Sequence, residues 1–460
     1  MALELSSLTF TEQDDVVPAS GVEQILNTGI ANTLAGNDTI TGIWSPLVVT
    51  DLSTFYGIFN SGTLNTAEGD DVITGIGAPE GKGIVNSGTF HTGEGNDTII
   101  ADDVGFGTAL DNTGTFNTAE GDDVITGRGY YNGISTSGSI FDTGDGNDKI
   151  RGNSNNFSGL RSSGISNSST FNTGDGNDTI EGSGVFGIAN GALINTGNGK
   201  DIITANGANT ILYEGSSGIS NSGTINTGND DDIITSTVVD YGEYLISGNS
   251  ISNNGTIDTG NGQDSIISHG GFTNKGNVFL GDGNDSLISD TDFLNRALEN
   301  FNFIGTGDGN DIITNTGVIY NEGVINTGKG DDSIIVNGTG TGYGIYNNGG
   351  AINMGDGNDS IIANEGFESG PNSSGSVFLG EGEDYIKGFG SGDFYGGNGN
   401  DILELTPGTY TVGIWGEGGE SPIFTKGDQL MITSEFEKLK AGSTIYDFTS
   451  LTAGQIIIVT

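Results

Sequence analysis

Between residues 25 and 404, apolar residues stand at fixed offsets from one recurring aspartate, not at a helical period. The aspartate returns fifteen times, as Asp38, Asp71, Asp97, Asp123, Asp148, Asp178, Asp201, Asp232, Asp264, Asp285, Asp311, Asp332, Asp359, Asp384 and Asp401. Two residues after each stands Ile or Leu. Seven residues before each stands an apolar residue, among them Leu64, Phe90, Phe116, Phe141, Phe171, Ile194 and Ile225. Thirteen before, several copies carry a further Ile, such as Ile58, Ile84, Ile188, Ile219 and Ile251. These apolar positions are separated by Gly, Asn and Asp and lie too close together for helices. They predict three short strands per unit joined by tight turns.

The Asp-to-Asp spacing runs from 17 to 33 residues and averages about 26. A repeat of that length makes each unit one coil in a stack, burying a narrow core against its neighbours. The predicted fold is all-β, an elongated parallel β-solenoid of about fifteen coils spanning 25–404. Residues 1–24 are expected to form an N-terminal cap over the first coil. Residues 405–460 lose the repeat and read as a small β-rich C-terminal cap, with strands at Tyr410–Trp415, Gln429–Thr433, Thr444–Phe448 and Gln455–Val459 and a helical turn at Glu435–Lys440. Phe116, Ile125, Ile225 and Ile234 should be core residues.

Eleven residues before the aspartate, twelve copies carry Asn: Asn27, Asn60, Asn86, Asn112, Asn167, Asn190, Asn221, Asn253, Asn274, Asn300, Asn321 and Asn348. At one turn of every coil these amides should stack and hydrogen-bond from coil to coil, as Asn arrays do in cross-β packing. Length variation gathers after the conserved Ile, in 41–57, 151–164, 204–218 and 235–250. Those segments hold Trp44, Tyr56, Phe157, Tyr213, Tyr241 and Tyr244, which should emerge along one edge.

Composition narrows the function. The net charge is −47, with only 13 basic residues in 460. Nucleic-acid binding, which needs Lys and Arg against phosphate, is excluded. No run of eighteen apolar residues exists, so no membrane span is expected, and residues 1–10 do not resemble an N-terminal signal peptide. His91 and His269 are far apart and no zinc, nucleophile or phosphate-loop motif is present, so no enzyme is expected. A polysaccharide lyase using Arg128, Lys149 or Arg151 is the weakest reading.

The turn itself carries the chemistry. Gly-x-Gly-Asn-Asp offers glycines that turn carbonyl oxygens inward and an aspartate that adds a carboxylate, and Ca²⁺ takes six to eight such oxygens. A file of carboxylates one strand apart repels itself unless a cation intervenes. The alternative is that each Asp only caps its turn by hydrogen bonds. Segments such as Gly174-Asp175-Gly176-Asn177-Asp178-Thr179-Ile180 and Gly396-Gly397-Asn398-Gly399-Asn400-Asp401-Ile402 resemble the RTX, or haemolysin-type, calcium-binding nonapeptide Gly-Gly-x-Gly-x-Asp-x-U-x.

The resemblance implies multiple Ca²⁺ ions held by the fifteen aspartates and turn carbonyls, folding outside the cell, and type I export without an N-terminal signal peptide, the secretion signal mapping to 405–460. It places the protein outside, or on the surface of, a bacterium. Two departures stand out. The family's first Gly is Thr in eleven copies, for example Thr66, Thr92, Thr143 and Thr173, and one nonapeptide falls in each long coil, so a single file of ions is expected. Asp230, Lys200 and Lys329 interrupt the pattern.

The function read from these features is a secreted calcium-binding repeat protein with a structural, surface-layer or filament-forming role. Its expected partners are calcium ions, further copies of itself and a cell-surface glycan. The alternative is an adhesin or ice-binding rod, suggested by Thr63, Thr89, Thr115, Thr224 and Thr256, a file broken at Leu193, Phe303 and Val324.

Overall fold

The computed structural model describes residues 2–18, 23–44, 55–156, 161–209, 216–240, 249–290, 296–338, 342–370, 374–416 and 421–460. The loop aromatics Phe157, Tyr213, Tyr241 and Tyr244 lie outside the described residues. The chain divides into two compact units, Met1–Ile251 and Ser252–Thr460. Each is a parallel β-solenoid with three strands per coil and three sheets, and among the described residues there is no α-helix.

In the first unit a representative coil comprises Phe186–Asn190, Leu193–Asn195 and Ile202–Asn209. Each strand pairs in parallel, in register, with the equivalent strand of the coils before and after it. Asn190 thus stands beside Asn167 and Asn221, Ile194 beside Phe171 and Ile225, and Ile203 beside Ile180 and Ile234. Alternation along each short strand turns one residue in two inward, so identical positions pile into columns. Phe90, Phe116, Phe141 and Phe171 form one such column, with ring centroids 4.5–4.8 Å apart. Phe116, Ile125, Ile225 and Ile234 are fully buried, as the pattern requires.

The stacked Asn column forms as expected, Asn60 Nδ2 donating to Asn86 Oδ1 and Asn167 Nδ2 to Asn190 Oδ1, both at 2.8 Å, and Thr136 fills the place between Asn112 and Asn167, its Oγ1 donating to Asn167 Oδ1 at 2.6 Å. In the second unit it runs Asn253, Asn274, Asn300, Asn321 and then Asn347, not Asn348. A Gly349-Gly350 pair lengthens that turn by one residue and moves the column back by one. Asn348 instead donates to Glu322 Oε1 at 2.7 Å.

The first unit begins with an abbreviated coil. Leu3–Glu4 pairs with Ile25 and Leu26, and Val16–Val17 pairs with Thr39 and Ile40. The second unit closes with antiparallel strands Gly408–Trp415, Ser421–Lys426, Gln429–Ser434 and Ile456–Val459. The helical turn expected at Glu435–Lys440 is not formed. Lys438–Ala441 is a strand, parallel to Ile402–Leu405 and antiparallel to Thr444–Asp447. A free sheet edge that buries Leu439 overrides the local helix propensity of Glu and Lys.

Candidate metal centre

All fifteen sequence-predicted aspartates occupy the same place, the turn between the second and third strands of their coil, and each is at most 2% exposed. Two glycines shape this turn. Gly146 and Gly176 have φ of 150° and 155°, open to Gly alone at low cost. A Cβ on Gly176 would also stand 1.8 Å from the Gly146 carbonyl oxygen, so the turns nest at backbone contact. Where the pattern lacks Gly the backbone keeps a positive φ but a smaller one, 81° at Asp230.

Each aspartate reaches back one coil. The N–H of Asp148 donates to Asp178 Oδ1, that of Asp178 to Asp201 Oδ1 and that of Asp285 to Asp311 Oδ1, all at 2.8 Å. The residue just before the aspartate reaches the other way: the N–H of Asn177 donates to Asn147 Oδ1 at 2.9 Å and that of Lys200 to Asn177 Oδ1 at 2.8 Å. The Thr that replaces the family's first Gly builds a third ladder, Thr66 Oγ1 donating to the Thr92 carbonyl at 3.0 Å and Thr306 Oγ1 to the Thr327 carbonyl at 3.0 Å.

The second carboxylate oxygen is the exception in this network. Oδ2 of Asp71, Asp97, Asp123, Asp178, Asp201, Asp285, Asp311, Asp332, Asp359, Asp384 and Asp401 is buried and has no hydrogen-bond donor. Where the coil carries the Thr, as at Thr66, Thr118 and Thr173, its hydroxyl reaches the next coil's carbonyl and also lies beside the carboxyl. Thr143 turns its hydroxyl to the carboxylate, on Asp148 Oδ2. Burial therefore pushes these carboxyls up, against the lowering effect of the adjacent Thr hydroxyl where one is present, with the neighbouring aspartates adding to the rise in most of them. Asp123 and Asp178 reach about 8, Asp71, Asp285 and Asp359 about 7, and Asp97, Asp201, Asp332 and Asp401 about 6. A buried, undonated carboxylate is costly to keep charged, and either a proton or a cation relieves it.

Among the described residues no three acidic or His side chains converge on a point. A cation here would rest on one carboxylate per coil together with turn carbonyls, an all-oxygen set that suits Ca²⁺ and not a transition metal. The interrupting lysines leave the turn intact. Lys200 Nζ points to Asp231 Oδ2 at 2.5 Å and Lys329 Nζ to Asp308 Oδ2 at 2.7 Å, both exposed. Asp201 and Asp332 keep their places in the column.

Two acidic residues at the column ends escape the sequence pattern. Asp15 joins through its backbone N–H, which donates to Asp38 Oδ1 at 2.8 Å while its own carboxylate takes the N–H of Thr11, and Glu437 joins through its side chain, Oε2 accepting from the N–H of Asp401 at 2.8 Å. Asp15 has the apolar Val17 two residues on and Glu437 has Leu439, but neither has the preceding glycine. Of the basic residues considered for a lyase, Arg128 pairs with Asp102 at 3.2 Å, and Lys149 and Arg151 share Glu181. His91 is half-buried in a row of Asn side chains, and His269 Nδ1 lies 2.8 Å from Asp290 Oδ2.

No family model matches the sequence, and no curated protein matches it. Among solved structures, the chain is similar to a hyperactive, Ca²⁺-dependent, β-helical antifreeze protein from an Antarctic bacterium. The identity is 20% and the TM-score 0.41, over 76% of this chain and 83% of that one.

Proposed function

We propose that this protein is a calcium-binding β-solenoid whose stacked turns take up the ion as they fold, and that it serves as an extracellular scaffold. The supporting observation is the column of buried Asp Oδ2 atoms without donors. The ion would lie between successive turns, held by the Oδ2 atoms and the nested glycine carbonyls. It would supply the positive charge that lets the aspartates stay ionised. Asp123, Asp178 and Asp201 hold the turns in line through Oδ1, leaving Oδ2 for the metal. Such a division of labour makes each aspartate both cap and ligand. Folding coupled to a cation scarce inside cells and plentiful outside suits a chain that becomes rigid only after export.

A non-catalytic role fits the same features. The lyase candidates Arg128, Lys149 and Arg151 are each engaged by a carboxylate. The test is isothermal titration of chelated protein with Ca²⁺ beside Mg²⁺. Uptake of many Ca²⁺ ions with Mg²⁺ ineffective supports the reading. Heat equal to the buffer blank refutes it.

A second reading has its own observation. Along the second strands of the first unit's coils, Thr63, Thr89, Thr115, Thr170 and Thr224 lie in one outward row that Ile140 and Leu193 interrupt, and Asn65, Asn117, Asn172, Asn195 and Asn226 lie in the next, which His91 and Asp142 interrupt. The amides are tied together, Asn195 Nδ2 to Asn172 Oδ1 at 2.7 Å and Asn226 Nδ2 to Asn195 Oδ1 at 2.8 Å. In the uninterrupted runs Thr63, Thr89, Thr115 and Asn172, Asn195, Asn226, hydroxyl and amide groups repeating at roughly 4.8 Å make short patches for ordered water or a glycan. Thermal hysteresis that is present in the protein and lost on Thr115→Lys would support an ice-binding role, and none in the wild type would dismiss it.

A further inference from the structure

The C-terminal cap of the second unit ends in an exposed edge strand. Ile456–Val459 pairs antiparallel with Gly408–Thr411, Ile457 lying opposite Tyr410 and Ile458 opposite Thr409. Among the described residues no strand pairs with its other edge, so a row of backbone N–H and C=O groups faces outward. Such an edge is normally blunted by charge, proline or a bulge. Here it is not: residues 448–460 contain no charged residue and no proline. Ile457 and Val459 are buried beneath the cap, whereas Ile456 is 55% and Ile458 66% exposed. Thr409, Thr411 and Leu430 share that outward face and extend the uncharged surface away from the edge.

The charge of the chain decides what can cover this edge. Residues 405–460 hold six acidic and three basic residues, against 54 acidic and 10 basic in the preceding 404. Two copies of so acidic a protein repel one another over most of their surface, and the cap is where that repulsion is weakest. A strand with exposed Ile on one face and buried Ile on the other is also complementary to itself when turned by a two-fold rotation.

We propose that Gln455–Val459 is the interface between two copies of this chain, each extending the other's cap sheet antiparallel across a two-fold axis. Side-chain alternation fixes the parity of the register. An axis passing between Ile457 and Ile458 would set exposed Ile456 against buried Val459, because residues directly opposite in an antiparallel pair share a face. The axis therefore passes through Ile457 or through Ile458. In the first case Ile456 of one copy faces Ile458 of the other. In the second, Ile458 faces itself. The dimer is closed, so it stops at two copies. It stands apart from the calcium reading, which concerns the turns of the coils.

The experiment is sedimentation of the full chain with Ca²⁺ present over a range of protein concentrations. The expected mass is twice 47.0 kDa. Ile458→Lys, at an outward position that leaves the cap core intact, should return the mass to that of one chain with an unchanged circular dichroism spectrum. Ile445→Lys, on a 62% exposed residue of another strand, should leave the dimer in place. The chain has no cysteine, so oxidative cross-linking reads the register directly. Cross-linking of Ile458→Cys alone puts the axis on Ile458, and cross-linking only in a mixture of Ile456→Cys and Ile458→Cys puts it on Ile457. A monomer at every concentration, a dimer that survives Ile458→Lys, or a mass that keeps growing beyond two chains would overturn the proposal.

Discussion

The N–H of Asp148 donates to Asp178 Oδ1 at 2.8 Å, while Asp178 Oδ2, equally buried, is offered no donor. One oxygen of the side chain is structural and the other is uncompensated. The pair repeats along each unit, and the following predictions come from it and from the columns beside it.

Acid should stabilise the metal-free protein. The carboxyls of Asp71, Asp123 and Asp178 titrate at about 7 to 8 when folded, against 3.8 for the ordinary group. A raised folded-state value means the native state holds protons that the unfolded chain releases. The resulting stability is complete below about pH 3.8 and is lost as pH rises through about 6 to 8. In chelator, the melting temperature should fall from pH 5.5 to about pH 8 and level off above it. Saturating Ca²⁺ should flatten that slope, since the ion replaces the proton. A melting temperature that rises with pH in chelator would contradict the assignment.

Asp178→Asn and Asp178→Ala should separate capping from ion binding. Asparagine keeps an acceptor for the Asp148 N–H and brings a donor toward the Thr173 hydroxyl, while losing the charge. In chelator at pH 8 this variant should be at least as stable as the wild type, yet bind one or two fewer Ca²⁺ ions. Alanine leaves the Asp148 N–H unsatisfied and should cost about 1–3 kcal/mol even without metal. Equal calcium stoichiometry in wild type and Asp178→Asn would leave the aspartate as a cap only.

The aromatic column should behave as one packed element. Phe141 lies between Phe116 and Phe171 at 4.8 and 4.5 Å and is fully buried. Phe141→Ala should destabilise the first unit by about 3–5 kcal/mol in urea unfolding. Hydrogen exchange should quicken most in the coils on either side, because coils couple chiefly to their neighbours. Uniform loss of protection throughout the unit would argue against that local coupling.

Much of this architecture was legible because it repeats. The offsets of Ile203 and Ile194 from Asp201 placed both in the core, and fifteen copies left little freedom of register. The ends were harder to read. Asp15 and Glu437 join the column without the glycines that mark it elsewhere, since a terminal turn has a neighbour on one side only and need not nest as closely. Lys438–Ala441 looked helical because its pairing partner, Ile402–Leu405, lies more than thirty residues away in sequence. The Thr66 ladder was visible as a departure from the RTX pattern, but its purpose was not, because the carbonyl it reaches belongs to the next coil.

The Asn column should tolerate no charge. Asn190 Nδ2 donates to Asn221 Oδ1 and to the Thr224 carbonyl, both at 2.9 Å, while Asn190 Oδ1 accepts from Asn167 at 2.8 Å. Asn190→Asp removes both donors and buries a second acceptor against them. It should destabilise the unit more than Asn190→Ala does at pH 8, and the gap should close on acidification. Chemical denaturation at pH 8 and pH 5 measures both effects, and an Asp variant as stable as wild type at pH 8 would exclude a tight column.

The most direct measurement of the central claim is circular dichroism of chelated protein at pH 8 during titration with Ca²⁺, followed in wild type and in Asp178→Asn. β-Structure and melting temperature should rise together in the wild type as Ca²⁺ is added, Mg²⁺ at the same concentration should not reproduce the rise, and the variant should show a smaller calcium-dependent gain. A full β-spectrum in excess chelator at pH 8, with a melting temperature unmoved by Ca²⁺, would contradict it.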